Sequence, residues 1–119
     1  MNKLVKLFIT SISAITLALV SFTSSFAKVE GEYIVLGSAI SLTGKYSSNG
    51  VHTQNGYNLA VERINSMGGV KVDGKTYNFE IIYYDDESNS GRAAQLAERL
   101  IKQDKVQFML GPYSSGLTK

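Results

Sequence analysis

The sequence predicts an α/β fold, the βαβαβ opening of an open parallel sheet with Rossmann-like winding. Three observations carry this expectation. Near-continuous apolar runs alternate with helical-period segments. Each apolar run ends in a Gly-, Ser-, Asn- or Asp-rich loop. The order strand, helix, strand, helix, strand has the form that right-handed crossovers assemble into a parallel sheet.

The first 27 residues stand apart from this pattern. Met1 to Lys6 carries two lysines, Leu7 to Val20 is an uncharged apolar run, and Ser21 to Ala27 is small and polar. A positive start, an apolar middle and small residues at Ser25 and Ala27 form the three parts of a secretory signal, with the cut expected after Ala27. The apolar run is short for a span of roughly 20 residues. The chain has no cysteine, so neither a lipid-bearing N-terminal cysteine nor a disulfide is expected. Removing Lys3 and Lys6 takes the 12 basic residues to parity with the 10 acidic ones. The positive balance therefore belongs to the signal, and nucleic acid is not expected as a partner. The product is expected in the periplasm or outside the cell.

Tyr33 to Ile40 reads as a buried strand, followed by a loop over Ser41 to Gly50. Between Val51 and Met67, Tyr57, Ala60, Val61 and Ile64 fall at i, i+3, i+4 and i+7, predicting a helix with one apolar stripe. Gly56 inside it suggests close approach to the sheet, and Gly68-Gly69 supplies the stop. Val70 to Tyr77 contains Asp73-Gly74 between strand-like runs, a two-residue hairpin signal. Tyr77 to Tyr84 is a second buried-type strand. Ala93, Ala97, Leu100 and Ile101 mark a helix over about Gly91 to Gln103, with Ser88 or Ser90 as its cap. Val106 to Leu110 is the third strand, leaving through Gly111 to Gly116. The roughly 92 residues after Ala27 leave much apolar surface uncovered. They read as a fragment, residues 28–119, or as a protein that needs a partner to cover that surface.

Ligands of open α/β sheets bind outside the carboxyl ends of the strands. Ser41 to Gly50, Asp85 to Ser90 and Pro112 to Ser115 should converge there, each leading into a helix N-terminus suited to a carboxylate. Ser114 and Ser115 add hydroxyls. Serine at such a place is also an ordinary cap. Tyr46 and Tyr113 read equally as pocket walls or as packing. Asp85-Asp86 suggests a metal or phosphate-accepting pair or, more commonly, the end of a strand and the start of a loop. His52 has no partner at ligand spacing and reads as a solvated residue. The dinucleotide, phosphate-loop, nucleophile-elbow and zinc-protease motifs are missing, so this segment is not expected to be an enzyme, and no cofactor or metal is implied.

The succession Gly37-Ser38-Ala39-Ile40-Ser41-Leu42-Thr43-Gly44, Asn55-Gly56-Tyr57-Asn58-Leu59-Ala60-Val61-Glu62-Arg63-Ile64-Asn65, Gly68-Gly69-Val70, Tyr84-Asp85-Asp86-Glu87-Ser88 and Gly111-Pro112-Tyr113-Ser114-Ser115 resembles the leucine/isoleucine/valine-binding family. These are type I periplasmic binding proteins of ABC importers. The resemblance implies a two-lobed clamp that closes on a solute without chemistry. It implies that Ser115 binds the ligand carboxylate by hydroxyl and backbone N–H, with Tyr113 and Ser114 lining the pocket. The loop before the first helix would add Asn49 or Tyr46. Some members join the second and third strand-end loops by a cysteine pair; Ser114 stands at one of those positions here. The acidic partner of the ligand ammonium would lie in the other lobe. Branched-chain amino acids lead as solutes, with aromatic acids, amides and urea also used by similar proteins. The implied partners are an amino-acid-like small molecule and an inner-membrane ABC permease, with a monomer as the intact state. The alternative is a ligand-sensing extracellular domain of a receptor with the same fold. A metal-dependent enzyme built on Asp85 and Asp86 ranks far behind.

Overall fold

The computed structural model describes residues 29–30, 33–106 and 108–118. The signal segment and its cut after Ala27 lie outside them. The elements run β1 (Val29–Glu30), β2 (Tyr33–Ile40), α1 (Ser47–Ser66), β3 (Val70–Val72), β4 (Lys75–Asp85), α2 (Ser90–Lys102), β5 (Phe108–Leu110) and α3 (Ser115–Thr118).

β2 is the middle of the sheet. β4 runs parallel along one side of it over its whole length, from Tyr33 opposite Asn78 to Ile40 opposite Asp85. β5 runs parallel along the other side, Leu36 opposite Phe108 to Ser38 opposite Leu110, with β1 antiparallel below it on Tyr33 and Ile34. The chain thus steps from β2 to β4 on one side and crosses back to β5 on the other. Right-handed crossovers in opposite directions place α1 and α2 on opposite faces. Their loops separate above the β2–β5 boundary, the switch point where such sheets bind ligands.

β4 merges the expected hairpin arm and second strand into one strand of 11 residues. Its first part pairs antiparallel with β3, Val70 opposite Tyr77 and Val72 opposite Lys75. Asp73 (φ 48°) and Gly74 (φ 79°) both sit in the left-handed region, as the two-residue turn requires.

The α2 face holds the core. Val35, Leu100 and Val106 are buried together, with Ile82 and Tyr84 packed against them. Burying a leucine such as Leu100 contributes roughly 2 kcal/mol. The Arg99 guanidinium lies 4.5 Å over the Tyr84 ring, whose hydroxyl donates to Asp104. The cap of α2 is Asn89, whose side chain accepts from Arg92 N–H, and not Ser88 or Ser90. Serine spacing could not separate three adjacent capping residues.

α1 attaches to the other face mostly through polar bonds. Asn65 donates to Phe79 O and accepts from Phe79 N–H, each at 2.8 Å, pairing like a short piece of strand. Tyr83 donates to Asn58, and Tyr57 donates to Gly111 O. The stripe Tyr57, Ala60, Val61 and Ile64 faces Ile34, Leu36 and Phe79 across an open apolar groove; none of the four is fully buried. Gly56 is not the point of close approach, since a Cβ there would meet nothing within 4 Å. That point is Gly50, the buried residue of α1, where a Cβ would fall 1.8 Å from Ser41 O.

α1 begins at Ser47, four residues before the expected Val51. Ser47, Ser48 and Asn49 read as loop by composition, yet such residues also suit a helix start. Val106, expected to open the third strand, instead donates its N–H to Leu100 O at the end of α2 and is buried in the core.

Candidate functional site

Three loops leave the carboxyl ends of β2, β4 and β5, and the first two are bonded to each other. Asp85, the last residue of β4, accepts at Oδ1 from Leu42 N–H (2.9 Å), Thr43 N–H (3.2 Å) and Glu87 N–H (2.9 Å). Its Oδ2 accepts from the Thr43 hydroxyl at 2.7 Å. Burial raises the Asp85 carboxyl, but these bonds from Glu87, Thr43 and Leu42 outweigh it and hold the group below its ordinary value of 3.8.

Asp86 is fully buried. Its Oδ1 accepts from the Ser41 hydroxyl at 2.6 Å and from Ser88 N–H at 2.8 Å, while Oδ2 has no protein partner. The two aspartates therefore serve different neighbours and do not form a pair. Among the described residues, no group of three or more His, Cys, Asp or Glu side chains could hold a metal ion.

These bonds engage N–H groups of the first two loops themselves. Leu42, Thr43, Glu87 and Ser88 N–H groups point to aspartate oxygens, Tyr46 N–H to the Ser88 hydroxyl, and Arg92 N–H to Asn89. Donors engaged in this way are not available to a ligand. In the third loop, Leu117 N–H and the Thr118 hydroxyl both donate to Ser114 O. Among the described residues, Ser115 and Gly116 donate their N–H groups to no side chain or turn carbonyl. The Ser114 hydroxyl is buried without a protein partner.

The structure brings two of the expected site residues into contact. The Tyr46 and Tyr113 rings lie 6.0 Å apart at a tilt of 53°, a favourable aromatic geometry. Lys45 Nζ sits 4.6 Å over the Tyr46 ring. Asn49 is exposed on the first turn of α1, adjacent to Gly50, which donates to Tyr46 O. Ser115 is exposed at the head of α3, and Ser114 is half-buried before it. The Tyr57–Gly111 bond ties α1 to the β5 exit, so both sides of the face share one register. His52 is exposed on α1. Neither apolar groove of the molecule is lined by Tyr46, Asn49, Ser114 or Ser115.

Sequence reasoning missed Ser88 and the reach of Asp85. Both lie in a polar run whose turn propensity alone explains their residue types. Their partners are more than 40 positions away, and no periodicity reports such a bond.

Residues 34–119 match the family model described as periplasmic binding protein. The chain belongs to that family. An amino acid binding protein of Pseudomonas aeruginosa is 30% identical over 113 residues, which are 95% of this chain and 28% of that protein. Among solved structures, the branched-chain amino acid transporter substrate-binding protein LivJ of Streptococcus pneumoniae, in complex with isoleucine, is 34% identical with a TM-score of 0.63. It is matched over 71% of this chain and 23% of its own. A solute-binding protein of an ABC transporter from Rhodopseudomonas palustris, in complex with 3,4-dihydroxybenzoic acid, is 29% identical with a TM-score of 0.52, over 66% and 20%. The expected type I periplasmic binding protein lobe, with its mostly parallel sheet, is thus the observed fold. This chain spans about a quarter of the length of these relatives.

Proposed function

We propose that this periplasmic binding protein chain supplies part of the first lobe, residues 28–119, of an exported solute-binding component of an ABC importer. Residues 1–27 are its export signal, and the product works in the periplasm or outside the cell. Its partner is an inner-membrane permease, and the intact protein is a monomer that carries out no chemistry.

The observation that carries this reading is the meeting of the β2 and β5 exit loops at the switch point, with Tyr46 and Tyr113 in ring contact. The solute is an amino acid or related carboxylate, with branched-chain amino acids first. Isoleucine and 3,4-dihydroxybenzoic acid, held by the two relatives above, share little except a carboxylate and an apolar body. On this chain the Ser115 hydroxyl and N–H take the carboxylate, where charge-assisted bonds are strongest. Tyr113 and Ser114 line the pocket, and Tyr46 and Asn49 close it from the α1 side. Hinge closure of a second lobe then buries the solute.

Ser115→Ala in the intact protein tests this directly. Loss of a hydrogen bond to a charged group costs about 2 kcal/mol, so calorimetry should show isoleucine affinity falling by roughly thirtyfold. Unchanged affinity removes Ser115 from the site.

A further inference from the structure

Two consecutive residues that are not glycine, Glu87 and Ser88, hold positive φ angles of 54° and 60°. Glycine is the residue that adopts this backbone freely, so serine at 88 invites a reason. Its hydroxyl supplies one. Ser88 Oγ donates to Thr43 O at 2.8 Å and accepts from Tyr46 N–H at 3.0 Å. One hydroxyl therefore bridges the two ends of the turn that presents Tyr46. Asp85 holds the preceding residues through Leu42 N–H, Thr43 N–H and the Thr43 hydroxyl. Gly44 makes room for the bridge: a Cβ there would fall 2.7 Å from Ser88 Oγ and 2.7 Å from Glu87 O. The two loops interlock, and neither can shift alone.

We infer that Ser88, supported by Asp85, is a positioning residue that sets Tyr46 against Tyr113 and so shapes the solute-binding face. Its consequence for solute rests on the reading of Tyr46 and Tyr113 as pocket walls. Neither Ser88 nor Asp85 touches solute in this arrangement. The strand-end loop of β4 acts on the pocket only through the loop of β2.

Ser88→Gly in the full chain separates positioning from folding. Glycine accepts the left-handed backbone, so the thermal midpoint should stay within about 2 °C of the wild type. Loss of the acceptor should speed hydrogen exchange at Tyr46 N–H by roughly tenfold. Nuclear Overhauser contacts between the Tyr46 and Tyr113 rings should disappear. Unchanged Tyr46 exchange together with intact ring contacts would overturn the assignment. If Ser88→Gly lowers the midpoint further, Asp85→Asn replaces it. That variant keeps the Oδ1 acceptor of Leu42 and Thr43 N–H but puts an amide NH2 where Oδ2 accepts the Thr43 hydroxyl, so unchanged Tyr46 exchange and ring contacts in it overturn the supporting role. Isoleucine titration adds the solute arm, with a roughly tenfold weaker Kd expected for Ser88→Gly. Equal Kd values with a loosened Tyr46 overturn the effect on solute. A wild type that does not bind isoleucine overturns the solute reading instead, and exchange and ring contacts then decide the positioning role by themselves.

Discussion

Asp85 joins two loops with a single carboxylate, and its charge makes that junction sensitive to acid. Burial disfavours the charged form, but four hydrogen bonds favour it more, so the folded group titrates below its ordinary value of 3.8. An acid with a depressed folded pKa adds stability that is fully present above the unfolded value. That stability is lost as pH falls through the folded one, because the unfolded chain binds the proton first. Between pH 7 and 5 the loops should stay joined. Below 3.8, Leu42 and Thr43 amide shifts should move together with the Asp85 carboxyl carbon. Amides that titrate independently of that carbon would contradict the bond pattern. The same residue shows a limit of sequence reading. Asp85-Asp86 was legible as a strand end, but not as the bond from β4 to Leu42 and Thr43, since residue type carries no address for a partner 43 positions back.

At the scale of elements, the two glycines of α1 have opposite meanings. Gly50 lies against Ser41 O, a backbone atom that cannot move aside. Gly50→Ala should therefore lower stability by about 2 kcal/mol or more. Gly56 meets nothing, so Gly56→Ala should raise stability by about 0.5–1 kcal/mol through the helix backbone alone. Urea unfolding of both variants checks the pair, and a loss at Gly56 would mean that something unseen packs there. Periodicity located α1 and its inward stripe, because Tyr57, Ala60, Val61 and Ile64 must face the sheet whatever the detail. It could not tell which glycine is closely packed, because that depends on the loop after Ile40 folding back on the first turn. The Asp73-Gly74 turn was legible for the converse reason: its geometry is wholly local. The start of α1 at Ser47 was not, since Ser and Asn serve loop and helix start alike.

Across the whole molecule, the two faces of the sheet differ. The α2 face buries Val35, Leu100 and Val106, with Leu117 of α3 also buried, and carries a smaller apolar groove along Ala93 and Ala97. The α1 face is held at its ends by Asn65, Asn58 and Tyr57, and opens into an apolar groove between them. Phe108 and Met109 on β5 remain exposed beside that groove. Tyr46 and Tyr113 meet at the carboxyl ends of β2 and β5, next to Pro112 and Leu117, which line the apolar groove on the α2 side. The type I lobe was legible from the order of elements and five short motifs, whereas the interlock behind Tyr46 joins residues more than 40 positions apart and leaves no local pattern.

The most direct measurement is a calorimetric titration of the intact protein with L-isoleucine and, in parallel, with 2-methylbutylamine, the same molecule without its carboxylate. Recognition of the carboxylate at Ser115 predicts heat of binding for isoleucine and none for the amine. Equal binding of the two, or binding of the amine alone, would contradict it.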